Sequence, residues 1–210
     1  MKCFALFAVL LLAVAQTSAG ADVGAVEADL VVYGSSPAAI ATAVQARRMG
    51  RSCVVVSPET RIGGLTTGGL GQTDIGSKSA FGGIALEFYR DVAAYYRDPA
   101  NWKWQKRGDY FPDGQCAGTR GDDTMWTFEP SAALKILEGW ERRDGLDVRR
   151  GERLDRGKGG VVTKDGRIVS FRTLAGRVYR GKMFVDATYE GDLLAAAGVS
   201  YVVGREANDV

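Results

Sequence analysis

Two apolar, β-branched runs flank an alanine-rich stretch near the start of this 210-residue chain, and their spacing restricts the fold more than any other feature. Residues 28–33 (ADLVVY) and 52–57 (SCVVVS) show no apolar/polar alternation. Continuous runs of this kind belong to strands buried on both faces, as in parallel sheets. Between them, Gly34-Ser35-Ser36 breaks the first run and Pro37 opens residues 38–49 (AAIATAVQARRM). Proline suits the first helical turn because its missing N–H would have had no partner there, and Gly50 closes the helix. Small side chains at Ala38, Ala39, Ala41, Ala43 and Ala46 let this helix lie close to a sheet. The pattern predicts a right-handed βαβ unit and hence an α/β fold.

The turn inside that unit carries chemistry. Backbone N–H groups at a helix N-terminus can hold a phosphate, provided small side chains let the ligand approach. Against the dinucleotide fingerprint G-x-G-x-x-G/A, Gly34 fills the first position, Ser36 replaces the second glycine and Ala39 satisfies the third. The acid that usually ends the second strand is absent: Ser57 stands there, with Glu59 two residues later. This turn alone is also compatible with an unrelated α/β fold.

Residues 61–76 (RIGGLTTGGLGQTDIG) concentrate glycine and threonine. A flexible linker would not interleave Ile62, Leu65, Leu70 and Ile75, so an ordered loop against a buried surface is expected. Farther on, Ile84, Phe88, Val92 and Tyr95 recur at helical spacing and predict a helix over 81–97 with a core-facing stripe, ended by Asp98-Pro99. Residues 100–128 form an aromatic-rich irregular insertion, read as a cap over a pocket or as core filling rather than a nucleic-acid platform. A second helix is predicted from Glu129 through Leu134, Leu137 and Trp140 to Arg143, then short strands at 147–150 and 152–155. Asp165-Gly166 between apolar runs signals a tight hairpin of 160–164 and 167–173. After Ala175-Gly176, residues 177–180 complete a three-stranded meander, and 182–186 form the last parallel strand.

Taken together, DLVVYGSSPAAIATAVQARRMGRSCVVVSPETRIGGLTTGGLGQTDIG, FGGIALEFYRDV, FEPSAALKILEGW, GERLDR and KMFVDATYEGDLLAAAGVSYVVGREAN resemble FAD-dependent oxidoreductases with a glutathione-reductase-like Rossmann domain, specifically an exported bacterial group. The resemblance covers nearly all of the chain after its leader, with the motifs in order. It implies a Rossmann-like parallel sheet flanked by helices, a three-stranded antiparallel β-meander, and FAD as cofactor. It also implies that Gly34, Ser36, Pro37 and Ala38 lie at the FAD pyrophosphate, and that Ser57 or Glu59 faces the adenosine ribose. Gly63, Gly64 and Leu65 would run along the pyrophosphate toward the flavin, with Thr66 and Thr67 behind them. The backbone of Leu154 would border the adenine, Ala187 and Thr188 would close the nucleotide side, and Asp192 is a further candidate. Relatives commonly carry Glu at the position of Ser57 and His at that of Ser131; this chain has serine at both.

The activity so implied is hydride removal from a small organic substrate to flavin N5, with reoxidation by an unassigned electron acceptor. A flavin accounts for redox chemistry in a chain that contains no histidine and so has neither an imidazole base nor a histidine metal ligand. No residue is assigned a catalytic role, and no metal site is expected from Cys3, Cys53 and Cys116. Cys53 sits in an apolar strand and reads as a buried small hydrophobe. The formal charge of +2 gives no field to attract nucleic acid. Lys2, the apolar stretch 4–15 and Ala19-Gly20-Ala21 read as a signal peptide over 1–21, too short for a membrane span, with the FAD-binding domain over 22–210. The expected localisation is periplasmic or extracellular, with the substrate domain downstream of the sequence. Two other readings stay open: an NAD(P)-binding dehydrogenase lobe, and a noncatalytic exported binding protein or inactive fragment.

Overall fold

A computed structural model of the protein describes residues 24–111 and 123–205. The leader, Cys116 and the last five residues lie outside these segments, and with them the expectations that rest on them. One six-stranded sheet runs in the order β3-β2-β1-β6-β5-β4. Its parallel half consists of β1 (Val26–Tyr33), β2 (Cys53–Val56), β3 (Asp147–Arg149) and β6 (Val178–Asp186). The helix α1 (Pro37–Arg48) crosses from β1 to β2 as the sequence predicts. β1 starts at Val26, two residues ahead of the apolar run, because β6 continues to pair with it there.

Both faces of this half are covered. Val32, Cys53 and Val55 pack with Ile40, Ala43 and Val44 of α1 on one side. Val31, Tyr33, Val54 and Val56 pack with Leu154, Phe171, Tyr179 and Leu193 on the other. Two-sided burial is what removes the alternation from strand sequences, and each fully buried Val or Ile contributes about 1.5–3 kcal/mol. On the α1 side stand α3 (Gly83–Tyr95) and α4 (Pro130–Asp144). The α3 stripe differs in detail from expectation: Leu86, Tyr89 and Val92 are buried, whereas Ile84, Phe88 and Tyr95 are partly covered.

The antiparallel half is a meander of β4 (Val161–Lys164), β5 (Arg167–Arg172) and the first part of β6. Asp165 and Gly166, with φ of 50° and 73°, make the tight turn between β4 and β5. The last meander strand and the last parallel strand, predicted as two, are one. Gly181 lies inside β6 where a Cβ would come within 2.8 Å of Val31 Cγ2, so glycine lets the strand pass against β1 rather than ending it. Residues 152–155 form no strand; only an isolated bridge joins Leu154 to Thr173. Trp126 and Phe128 fill the core, whereas Trp104 and Phe111 are exposed, so the aromatic insertion serves no single purpose.

Candidate functional site

The C-terminal ends of the parallel strands meet in register, with Tyr33 opposite Val56 on one side and Asp186 on the other. In open α/β sheets ligands bind beyond these ends. Here a cleft of about 650 Å³ opens, within the roughly 300–1,000 Å³ range of ligand pockets.

The turn after β1 forms its floor. Gly34 has φ of +137°, and its N–H donates to the Val56 carbonyl at 3.0 Å. A Cβ on Gly34 would stand 2.4 Å from both the carbonyl carbon and the oxygen of Ala187, so any side chain would force the turn off β6. Ala187 N–H donates to the Tyr33 carbonyl at 2.7 Å, and the Ser36 hydroxyl donates to the Ala187 carbonyl at 2.6 Å. On the opposite flank, Gly63 N–H donates to the Ser35 carbonyl at 2.7 Å. The two glycine-bearing segments therefore touch. The N–H groups of Ser35, Ser36 and Ala38 have no acceptor among the described residues, and Ser35 and Ser36 line the cleft. These are donors suited to an anion.

The second glycine segment folds into a one-turn helix, α2 (Gly64–Gly68), where a loop is expected from sequence. Gly63 caps it at φ of 92°, and the Thr67 hydroxyl donates to the Ile62 carbonyl at 2.6 Å. Ile62 and Ile75 are buried as anticipated, but Leu65 and Leu70 are more than half exposed. Leu65 and Gly64 reach the cleft, and Thr66 faces a neighbouring cavity together with Pro37 and Ala38.

Of the two ribose candidates, Glu59 lines the cleft. Ser57 is fully buried and its hydroxyl donates to the Glu59 carbonyl at 2.7 Å, so it shapes the loop and does not reach the cleft. Leu154 lines the wall, with its N–H donated to the Tyr33 hydroxyl at 3.0 Å. Burial raises the Tyr33 phenol above its ordinary pKa, so it stays protonated. Ala187 and Thr188 line the far side, and Asp192 there is ion-paired with Arg156. The Thr188 hydroxyl is taken up locally: it donates to Asp186 Oδ1 at 2.6 Å and accepts from the N–H of Gly191 at 3.0 Å. Asp186 Oδ2 accepts from Leu194 N–H at 2.8 Å, fixing the start of α5 (Asp192–Ala196).

Several residues that line the cleft escape the sequence reading, among them Tyr33, Arg153, Arg156 and Tyr189. Arg153 and Arg156 stand among four carboxylates of the same lining, Glu59, Asp155, Glu190 and Asp192, so the anion preference rests on the backbone donors of the turn. Tyr189 accepts a hydrogen bond from Leu65 N–H at 2.9 Å, joining two segments of the lining. Only its place inside DATYEGD, next to Thr188, signals it in the sequence. Burial pushes the Cys53 thiol up to about 11, consistent with an inert core residue. Among the described residues no cluster suited to a metal ion occurs, and no helix is long and apolar enough to cross a membrane.

Sheet order, glycine turn and cleft define a nucleotide-binding domain of the Rossmann type. The chain belongs to the FAD dependent oxidoreductase family, whose model matches residues 29–210. Among solved structures, L-proline dehydrogenase from P. horikoshii is similar with a TM-score of 0.52 at 13% identity, over 86% of this chain and 58% of that one. A flavin-containing monooxygenase from Stenotrophomonas maltophilia matches at 19% identity and a TM-score of 0.43, over 78% of this chain and 38% of its own. Bacillithiol disulfide reductase from Staphylococcus aureus matches at 12% identity and a TM-score of 0.46, again over 78% and 38%. The chain thus spans less than two thirds of each of these structures. No curated protein matches it significantly. FAD is the cofactor of the family, and the Ser35 and Ser36 N–H groups at the glycine turn fit a dinucleotide diphosphate.

Proposed function

We propose that this chain binds FAD along the cleft and serves an oxidoreductase acting on a small organic substrate. The observation that carries the reading is the junction of the two glycine segments through Gly63 and Ser35, beside free N–H groups of Ser35 and Ser36. In this reading those amides hold the diphosphate, Glu59 accepts from the ribose hydroxyls, and the Leu154 carbonyl borders the adenine. Gly64 and Leu65 guide the other end toward the flavin position. Bound FAD supplies the redox chemistry, accepting a hydride from the substrate and returning two electrons to a separate acceptor. We further propose that the protein is exported, acts without nucleic acid and has no stable membrane anchor once the leader is removed.

Purified protein should carry, or take up, a chromophore with bands near about 370 and 450 nm, as expected for a flavin. Saturating FAD should raise its melting temperature by mass action. If FAD changes neither spectrum nor melting while NAD(P) raises melting, a nicotinamide-binding lobe replaces this reading. If neither nucleotide has an effect, the chain is a noncatalytic binding protein.

A further inference from the structure

Beside the nucleotide cleft lies a second cavity of about 410 Å³, and Leu65 lines both. Its walls come from α1, α2, α3 and α4, and its body is aromatic: Phe81, Phe88, Tyr89, Phe128 and Trp140. The rings are held in mutual edge-to-face contact, with Phe88 to Phe128 at 5.3 Å and Phe81 to Tyr89 at 5.5 Å between centroids. Trp140 is fixed besides by its indole N–H, which donates to Asp91 Oδ2 at 2.6 Å. Such a wall is held by ring packing, and aromatic rings attract cations through their quadrupoles.

The charge inventory is one-sided. Among the described residues, the lining contains no Lys and no Arg, and Asp74 at the exposed rim is its one carboxylate. Arg143 stacks over Trp140 at 5.4 Å, but it is bound to Glu87 and Asp144 and does not line the cavity. A carboxylate or phosphate ligand would find no counter-charge among the described residues of the lining and would meet Asp74. A protonated amine on an apolar body finds the reverse: rings for the body, and a carboxylate with cation-attracting faces for the head.

We propose that this cavity is a binding site for a small apolar amine, with the ammonium group directed to Asp74 and the hydrocarbon part against Phe88, Phe128 and Trp140. As the substrate position of a flavin enzyme it rests on the function proposed above; as an amine site it does not. Gln72 and Thr66 at the same rim offer polar groups that bind an amine or an alcohol equally, so selectivity falls to Asp74.

The test uses the full chain without added flavin and three probes of equal shape: 2-phenylethylamine, 2-phenylethanol and phenylacetate. Tryptophan fluorescence and calorimetry should show the amine binding at least about tenfold more tightly than the acid, a gap of about 1.4 kcal/mol. Asp74→Asn, at an exposed site, should bring amine and alcohol to similar affinity without changing melting. Ala85→Trp, also exposed on the cavity side of α3, should abolish amine binding while flavin titration of the cleft is unchanged. Phenylacetate binding as tightly as the amine overturns the proposal. So does an amine preference untouched by Asp74→Asn, amine binding untouched by Ala85→Trp, or no amine binding at all. A chain that binds the amine but never FAD leaves this site standing and removes the flavin reading instead.

Discussion

The phenol of Tyr189 takes the backbone N–H of Leu65 at 2.9 Å, a bond between segments 124 residues apart. It lies so close that a Cβ on Gly64 would meet the Tyr189 hydroxyl at 2.3 Å. The phenol oxygen thus occupies a donor that an elongated cofactor would meet on its way from the Gly34 turn past Leu65. Tyr189→Phe should lower the stability of the cofactor-free chain by about 1 kcal/mol, since one hydrogen bond between loops is lost. The same variant should bind FAD several-fold more tightly, because the Leu65 amide no longer has to be released first. Thermal melts and flavin fluorescence titration check both halves. Weaker FAD binding by Tyr189→Phe would show that the hydroxyl holds the ligand instead of competing with it.

Gly34 and Gly68 should respond in opposite directions to alanine. At Gly34 a methyl group meets the Ala187 backbone at 2.4 Å and the φ of +137° is itself unfavourable, so Gly34→Ala should cost about 3 kcal/mol or more and abolish FAD binding. At Gly68, within α2, nothing lies within 4 Å of an added Cβ. Gly68→Ala should be neutral or stabilising by up to about 1 kcal/mol. Urea denaturation of the two variants side by side measures the contrast.

Asp186 accepts from Thr188 N–H at 3.0 Å, from the Thr188 hydroxyl at 2.6 Å and from Leu194 N–H at 2.8 Å. An amide in its place must turn an N–H₂ toward one of these donors. Asp186→Asn should therefore cost about 1–3 kcal/mol, and it should weaken FAD binding because residues 187–192 lose their anchor. Denaturation together with flavin titration tests this, and an unchanged FAD affinity would refute the link between Asp186 and the cleft.

Cys53 sets an alkaline limit. Its thiol ionises at the ordinary value of 9.0 when unfolded and at about 11 in the fold, because burial penalises the thiolate. A folded pKa above the unfolded one means that the protonated thiol favours folding fully below pH 9 and progressively less as pH rises toward 11. Melting temperature should fall across that window, and less steeply in Cys53→Ala. At pH 8, peptide mapping after iodoacetamide should find Cys53 unmodified in the native protein and alkylated in urea.

Much of the parallel half was legible because its signals are local. The run 28–33, Pro37 and Gly50 each fix their conformation through nearest neighbours, and the observed α1 and β2 follow. Asp165-Gly166 likewise dictates its own turn. What stayed hidden depends on distant partners. Gly181 reads as a break between strands, yet its missing side chain serves the approach to Val31, a neighbour far off in sequence. Ser57 stands where a cleft residue is expected, and only the packing around the loop shows its hydroxyl turned to Glu59. Tyr189, Arg153 and Arg156 enter the cleft from segments whose sequence carries no phosphate signal of its own.

The cleft closes through the Ser36 bond to Ala187, which joins residues 151 positions apart. A polypeptide leaving the ribosome therefore exposes its glycine turn long before the strand that completes it has been synthesised. Assembly of such distant pairings is slow, so a nascent chain halted before residue 187 should be a substrate for chaperones and proteases rather than a nucleotide binder.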